Sequence, residues 1–501
     1  MKKNNFNNYP VVTHWEKSKW PLVAIGLLGY IAILGFIAIF IGLSPQILFV
    51  IYGVFIAIPF AVILVNRDLF LGLSAWFLLV LFSKVGKITL PLVPDIEPHR
   101  LLWILVFLFL LAQIALKKRR MLPITKIEVA MMLFCLVCLM SMMRAKTLFV
   151  AGQGLTIRSF LEGYGIPFSI FFLTKNIVQN EQQIKKLFQI LFIVGIYLTM
   201  TGIFEHFHLR ALVFPRYIMD PSLHVHWGRA RGPFINAAAN GAAIGMLFLI
   251  GLYIVIHMRK NISRKINLFF IPLMPITIFF TYTRSSWLGF ILSILMIPIF
   301  FRGLRKILIL GLCILIVIVI LNWSGVSSKD RYRGGITYMN PVYQRVTLYA
   351  ASARMFLDRP IFGFGFGSFQ EQSYDYLEKV EGIPVKLRTF GRHDTLVGIL
   401  VELGLMGFIP LILIFYYIFK QSVRLYRKLG HELFLGKGLV VLFWGIGIIL
   451  LVTFQAHEMR FFLLPNSIFY AVAGIIVGLN QRIYAEDKFA SSIPAERVET
   501  F

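Results

Sequence analysis

Apolar runs of about 20 residues recur along this chain, separated by short polar connections. An α-helix of about 20 residues crosses the hydrocarbon layer of a bilayer, and inside that layer every backbone polar group must be bonded within the protein. The pattern therefore predicts an all-α, polytopic integral membrane protein with about fourteen transmembrane helices. The predicted spans are 20–42, 46–65, 69–83, 101–116, 125–143, 162–178, 186–205, 236–256, 266–282, 286–301, 306–321, 395–418, 438–456 and 463–479.

The composition agrees with this interpretation, since 58% of the 501 residues are hydrophobic and only 15% are charged. A soluble fold cannot bury so large an apolar fraction, whereas a bilayer accepts it as solvent. The polar opening "MKKNNFNNYPVVTHWEKSKW" has no small-residue cleavage site, so we expect no cleaved secretory signal. The three cysteines lie inside predicted spans, and neither a disulfide framework nor a metal site is expected of them.

The net charge of +27 is dispersed among the connections between spans, which argues for orientation in the membrane and against a nucleic-acid partner. Basic clusters at 117–120, 259–265, 302–306 and 424–428 all fall on connections of the same parity. By the positive-inside rule that side is the cytoplasm, and both termini are predicted to lie there.

The opposite side is also rich in arginine, which orientation alone does not explain. Guanidinium groups bind phosphate oxygens through paired hydrogen bonds and stay protonated at neutral pH. An anionic ligand on the outer face is therefore the first functional prediction. The arginines of the outer connections include Arg144, Arg158, Arg210, Arg216, Arg229, Arg231 and Arg284.

The longest connection contains one predicted helix, 340–360, in which Asn340 suits the N-cap and Pro360 ends the helix. Its apolar and basic positions suggest a helix that lies on the membrane surface. We divide the chain into N-terminal transmembrane helices (1–185), core transmembrane helices with outer-face arginine motifs (186–321), a large extracytoplasmic loop (322–393), C-terminal transmembrane helices (394–479) and a cytoplasmic tail (480–501).

Three separated stretches are predicted to end on one membrane face, because a pair of helices lies between each and the next. They are "HWGRARGPFINAAANGAA" (226–243), "TYTRSSWLGF" (281–290) and "FGRHDTLVGILVELGLMGFIP" (390–410). Two crossings return the chain to the same side, whichever way the protein is oriented. Arg229 or Arg231, Arg284 and His393 are therefore expected to converge at one membrane surface.

Four motifs follow one another along these stretches and the intervening "DRPIFGFGFGSF". They are Arg229 or Arg231 with Gly232, Phe234 and Asn236; Thr283-Arg284-Ser285; Pro360 with Gly363 and Gly365; and His393-Asp394 with Glu402, Gly404 and Gly407. In this order they resemble the bacterial O-antigen ligase and O-antigen polymerase family over residues 186–456. Two departures are "NAAAN" where the family has Asn-Pro-Asn, and Asp394 where asparagine is more common. The resemblance implies a core of about twelve spans preceded by two further helices.

The resemblance implies a glycosyltransferase that moves a glycan from a polyprenyl (undecaprenyl) diphosphate carrier to a hydroxyl acceptor. The transfer takes place on the outer face of the bacterial inner membrane. The expected partners are the diphosphate-linked glycan donor, a lipid or glycan acceptor and membrane lipids, but no nucleic acid. The sequence does not distinguish a ligase from a polymerase. A transporter or flippase of lipid-linked glycans is the alternative function, although no internal repeat of the transporter kind is visible.

Each role suits its residue type. Arg229, Arg231 and Arg284 are the predicted diphosphate ligands, because positive charge stabilises a departing diphosphate; which of Arg229 and Arg231 functions stays open. His393 is the predicted base, since imidazole accepts a proton near neutral pH. No cofactor is expected, and without an acidic cluster on the outer face no metal either. The predicted supporting residues are Asp394, Glu402, Asn236 and Arg345.

Overall fold

The computed structural model describes residues 68–84, 88–90, 93–147, 156–223, 226–258, 262–300, 305–321, 323–327, 340–378, 394–430 and 434–491. Within these ranges the chain is helical apart from one short hairpin, which confirms the predicted all-α class. The spans predicted at 20–42 and 46–65 lie outside the described residues, as does His393.

The helices are numbered here in chain order. They are α1 (Leu69–Leu79), α2 (Pro98–Ala115), α3 (Lys126–Arg144), α4 (Thr156–Phe160), α5 (Ile166–Ile177), α6 (Glu181–His206), α7 (Ala237–His257), α8 (Ile262–Phe270), α9 (Leu273–Phe280), α10 (Arg284–Phe300), α11 (Arg305–Leu321), α12 (Trp323–Val326), α13 (Asn340–Asp358), α14 (Phe369–Gln372), α15 (Thr395–Lys428), α16 (Lys437–Ala456) and α17 (Leu463–Ser491). The strands are β1 (Ile88–Leu90) and β2 (Val93–Ile96).

Seven helices in the described part of the chain are long and apolar enough to cross a membrane: α2, α3, α6, α7, α15, α16 and α17. Shorter apolar helices occupy Leu69–Phe82 and Arg284–Pro298. The chain is therefore an integral membrane protein by length and composition of its helices, while the total of fourteen spans and the five-segment organisation stay predictions.

The chain divides into two compact units. The first comprises residues 1–79, 83–89 and 95–120, and in its described part α1 packs against α2. The α2 side chains of Leu102, Val106 and Leu110 are buried at four-residue intervals, so one face of this helix is covered.

The second unit comprises residues 80–82, 90–94 and 121–501, and it contains every described residue of the predicted site. Helix α7 packs against α6 and α16, while α17 packs against α5 and α15. Helices α7 and α17 are the most buried of the seven, which places them at the centre of the unit. The alanines at 237–239, 242 and 243 on α7 are fully buried, because small side chains let helices approach closely within a membrane.

Two predicted spans differ from the helices that form. The span predicted at 266–282 is divided into α8 and α9 at Pro272, which has no N–H to donate to the preceding turn. The span predicted at 162–178 starts earlier, at Thr156, and passes through a π-helical turn at Leu161–Gly165 before α5.

Helix α15 is broken at Gly404, where φ is +60° and ψ is −160°. The glycine-rich loop, residues 360–369, fills the break. Pro360 and Ile361 accept hydrogen bonds from the amides of Leu405 and Met406 at 2.9 and 3.1 Å. On the N-terminal side of the break, the amides of Phe364 and Gly365 donate to the carbonyls of Val401 and Glu402. The loop therefore supplies the backbone partners that a continuous helix would have provided.

Replacing Gly404 with alanine is expected to destabilise the protein by at least about 1–2 kcal/mol, the cost of a left-handed conformation for a residue with Cβ. The added Cβ would also lie 2.4 Å from the carbonyl oxygen of Ile361. Thermal unfolding in detergent measures the effect. Gly311→Ala on α11 is the control, because a Cβ there meets open space and alanine favours a helix. Equal stability of the two variants would contradict the prediction.

The two parts of α15 differ in what they expose. No side chain is exposed from Thr395 to Leu403. Large exposed apolar side chains begin at Leu405 and recur to Phe419, which is the pattern of a helix face in contact with lipid.

Candidate functional site

Arg231 is fully buried and its guanidinium group is engaged by protein partners. Its Nε donates to Glu205 Oε1 at 2.9 Å, and the backbone amides of Arg231 and Gly232 donate to Glu205 Oε2. Its remaining nitrogens donate to the carbonyls of Leu223 and Ile218, and the group stacks on the Trp227 ring. Arg231 therefore holds the connection between α6 and α7 in place.

Arg231→Met is expected to destabilise the protein by about 3–5 kcal/mol, because it leaves the buried Glu205 carboxylate without its cation. The measurement is the free energy of unfolding in detergent micelles. Lys185→Ala, on the same helix as Glu205, breaks an exposed pair with Glu181 and is expected to cost about 1 kcal/mol or less. If the two variants lose the same free energy of unfolding, the buried pair between Arg231 and Glu205 does not stabilise the connection between α6 and α7.

Arg229 lies two residues earlier and is half-buried. Its Nη1 donates to the carbonyl of Tyr282 at 3.4 Å, and the Ala230 amide donates to Phe280 at 3.0 Å. These contacts join the start of α7 to the end of α9, next to the start of α10. Asn236 caps α7, its side chain accepting hydrogen bonds from the amides of Ala238 and Ala239 at 3.0 Å.

Arg284 is the first residue of α10 and is half-buried. Arg345 is held by a 3.0 Å hydrogen bond from its Nη2 to the carbonyl of Ala456, at the end of α16. Helices α10 and α16 pack together, with Gly289 of α10 against Ile449 of α16. The start of α10 therefore lies near the end of α16. Arg284 and Arg345 are thus brought to the same end of these helices.

Asp394 caps α15, and its Oδ1 accepts a 2.9 Å hydrogen bond from the Val397 amide. Its Oδ2 accepts a 3.0 Å hydrogen bond from the hydroxyl of Tyr349 on α13. Burial raises the pKa of Asp394, although these hydrogen bonds oppose the shift. Burial, together with the neighbouring Asp394 carboxylate, raises the pKa of Tyr349 to about 12, so the phenol stays a donor.

An open cavity lies between α13 and the first turn of α15. Arginine, hydroxyl and carboxylate groups alternate with apolar side chains along its wall. It is lined by Arg345, Leu348, Tyr349, Ser352, Phe369, Asp394, Val397 and Gly398. His393, the predicted base, precedes Asp394 in the sequence and lies outside the described residues.

Glu402 is fully buried beside the glycine-rich loop and pairs with Arg460, which follows α16. Arg460 also forms two hydrogen bonds to Glu458, from Nε at 2.6 Å and from Nη2 at 2.7 Å. Burial opposes the charge on Arg460, but the two carboxylates outweigh it and hold the pKa of the guanidinium above its ordinary value.

The structure thus brings Arg345 and Asp394 to one cavity, and Arg284 lies at the same end of the helices. Arg229 lies at the neighbouring helix ends, whereas Arg231, Asn236 and Glu402 are engaged within the protein. The sequence interpretation did not include Glu205, Tyr349, Glu458 and Arg460. One feature of the sequence could have indicated Glu205 and Arg460. Each is a charged residue within or beside an apolar helix, and such residues are rarely unpaired.

The sequence also contains two close histidine pairs, His206 with His208 and His224 with His226, a spacing that can bind a metal; where the structure describes them, they have other contacts. Nδ1 of His226 accepts the Ala237 amide at 2.9 Å, and the His206 ring stacks on Phe280 with centroids 3.9 Å apart. Among the described residues, no group of three or more His, Cys, Asp or Glu side chains is placed to hold a metal ion.

A protein-family model with the description O-antigen ligase matches residues 268–412 of the chain. This interval contains Arg284, Arg345, His393, Asp394 and Glu402, and the glycine-rich loop. No curated protein matches the chain. The match contains three of the four motifs and confirms the predicted resemblance to this family, whereas the first motif, at 229–236, precedes the matched residues.

Proposed function

We propose that this chain, as a membrane protein of the O-antigen ligase family, transfers a glycan from a polyprenyl diphosphate carrier to a hydroxyl acceptor. Membership of that family implies a transferase-type enzyme that acts on lipid-linked glycan and on a lipid acceptor. The carrier, the chemical step and the residue roles are the parts proposed here.

The observation that carries the proposal is that Arg345 lines the cavity together with Asp394, while Arg284 begins a helix that packs against α16, whose last residue holds Arg345. Like charges on two side chains at helix ends repel each other, and a bound anion removes that repulsion. A diphosphate fits this role, since guanidinium groups donate paired hydrogen bonds to its oxygens. Arg229 is assigned to the same ligand and Arg231 is not, because Arg231 is committed to Glu205.

In the proposed step, the imidazole of His393 accepts the proton of the acceptor hydroxyl as its oxygen attacks the anomeric carbon. The bond between that carbon and the diphosphate oxygen breaks, and its electron pair leaves on the diphosphate. Arg284, Arg345 and Arg229 stabilise the charge that develops there. A single displacement of this kind inverts the anomeric centre, and its products are the glycosylated acceptor and polyprenyl diphosphate.

The test is an assay of the purified protein with a lipid-diphosphate oligosaccharide and a hydroxyl acceptor, in which new glycosidic bonds are detected by mass spectrometry. Transfer to a core-type lipid would identify a ligase, and transfer to a second carrier-bound unit would identify a polymerase. Movement of the donor across vesicles without a new bond would contradict the proposal and favour a flippase.

A further inference from the structure

We propose that Arg460, acting through Glu402 and Glu458, is a positioning residue that fixes the back wall of the cavity for the transfer reaction. The proposal rests on the proposed function for its kinetic consequence, but the geometry it describes can be measured without turnover. It concerns the outer segment, residues 394–403, which is the part of α15 that precedes the break at Gly404.

Arg460 lies directly behind the cavity wall. A Cβ placed on Gly398, which lines the cavity, would lie 3.2 Å from Nη2 of Arg460 and 3.5 Å from Oε2 of Glu458. The guanidinium group also lies over the ring of Phe366 in the glycine-rich loop, 5.2 Å from its centroid. Its exposed fraction is 1%, so protein surrounds the charge.

Glu402 connects Arg460 to a second wall of the same cavity. Its carboxylate accepts the Arg460 hydrogen bond and also those of the Gly367 and Phe369 amides, at 2.9 and 3.2 Å. Phe369 lines the cavity. One buried ion pair thus joins the outer segment, the glycine-rich loop and the connection that follows α16.

The start of the outer segment is tied to that same connection. The hydroxyl of Thr395 donates to the carbonyl of His457 at 2.9 Å and accepts the Met459 amide at 2.9 Å. Thr395 follows Asp394, so residues 457–460 hold the outer segment near both of its ends. Movement of this connection would move Asp394, and the backbone of His393 with it.

The chemistry of the network requires arginine. Glu458 receives two parallel hydrogen bonds from Nε and Nη2, and Glu402 receives a third from Nη1. A lysine has one nitrogen and cannot reproduce this fork. Loss of the cation would leave two carboxylates facing each other in a buried site, where they repel each other unless one takes up a proton, and in either case the fork of hydrogen bonds is lost.

The experiment compares Arg460→Met, Arg460→Lys and the control Lys175→Met. Lys175 forms a buried ion pair with Glu128 near the start of α3, whereas Arg144 at the other end of α3 contacts the glycine-rich loop. The control therefore removes a comparable cation far from the cavity. For each variant we would measure kcat and KM for donor and acceptor, thermal unfolding, and hydrogen exchange of amides 397–403 in micelles.

Arg460→Met is expected to lower kcat by about 100-fold, the loss that a displacement of about 1 Å causes, with KM for the donor unchanged. The kcat of Arg460→Lys is expected to lie between that of Arg460→Met and that of the wild type. Amides 397–403 are expected to exchange faster than in the wild type in the Arg460 variants, and at the wild-type rate in Lys175→Met. Lys175→Met should retain the wild-type kcat even if its unfolding temperature falls as much as that of Arg460→Met.

Wild-type kcat in a folded Arg460→Met protein, or equal loss of kcat in Lys175→Met, would overturn the proposal. So would unchanged exchange of amides 397–403. If the wild-type protein transfers no glycan, the proposed function fails instead, and the exchange comparison still decides whether Arg460 positions the outer segment.

Discussion

Replacing His393 with alanine is expected to lower the rate of glycan transfer by about 10²–10⁴-fold, the contribution of a positioned general base. The acceptor hydroxyl loses its proton only as it attacks, so the deficit should appear in kcat and leave KM for the donor unchanged. Initial rates of transfer with purified variant and saturating substrates measure the effect. His393→Gln should be equally impaired, because an amide hydrogen-bonds the hydroxyl but accepts no proton at neutral pH.

The control for this prediction is His208→Asn, at the end of α6. His208 is exposed and has a φ of +56°, a conformation that asparagine tolerates. This substitution removes an imidazole without straining the backbone, and wild-type rates are expected. If His393→Ala turns over at the wild-type rate, another group removes the proton.

The second large effect is expected at Arg284. Alanine in its place should reduce transfer by about 10²–10³-fold, the loss that follows removal of one preorganised donor to developing charge. Lysine should restore only part of the rate, since an ammonium group cannot donate two parallel hydrogen bonds to one diphosphate. Steady-state kinetics with the lipid-linked donor, and binding of polyprenyl diphosphate by the same variants, provide the measurement.

Arg210→Ala is the matched control, because Arg210 is an exposed arginine between α6 and α7 in the same unit. Its carbonyl accepts a hydrogen bond from Arg216, and that bond is unaffected by the substitution. Transfer by this variant should match the wild type. A similar loss in Arg210→Ala would mean that net charge, rather than the placement of Arg284, determines the rate.

The fold class followed from the sequence because runs of about 20 apolar residues have few alternatives in a membrane. The break in α15 did not, since apolar residues continue on both sides of Gly404. Only the loop at 360–365, about 40 residues earlier in the chain, completes that break. A local pattern does not reveal a hydrogen-bond partner so far away in sequence.

The arginines illustrate the same limit. Arg229 and Arg231 are separated by one alanine in an irregular segment, and nothing in that spacing distinguishes them. They differ because Glu205, 26 residues before Arg231, is folded against only one of them. Arg460 reads as one more basic residue in a short connection until Glu402, 58 positions earlier, is seen to pair with it.

The exposed apolar face of α15 starts at Leu405. Asp394 lies eleven residues beyond that point. At a rise of 1.5 Å per residue, the cavity lies up to about 16 Å from the start of that face. A lipid-linked donor of the proposed kind needs a headgroup that spans this distance while its lipid chain contacts that face. The length of the headgroup, and not only its charge, would then determine which donors react.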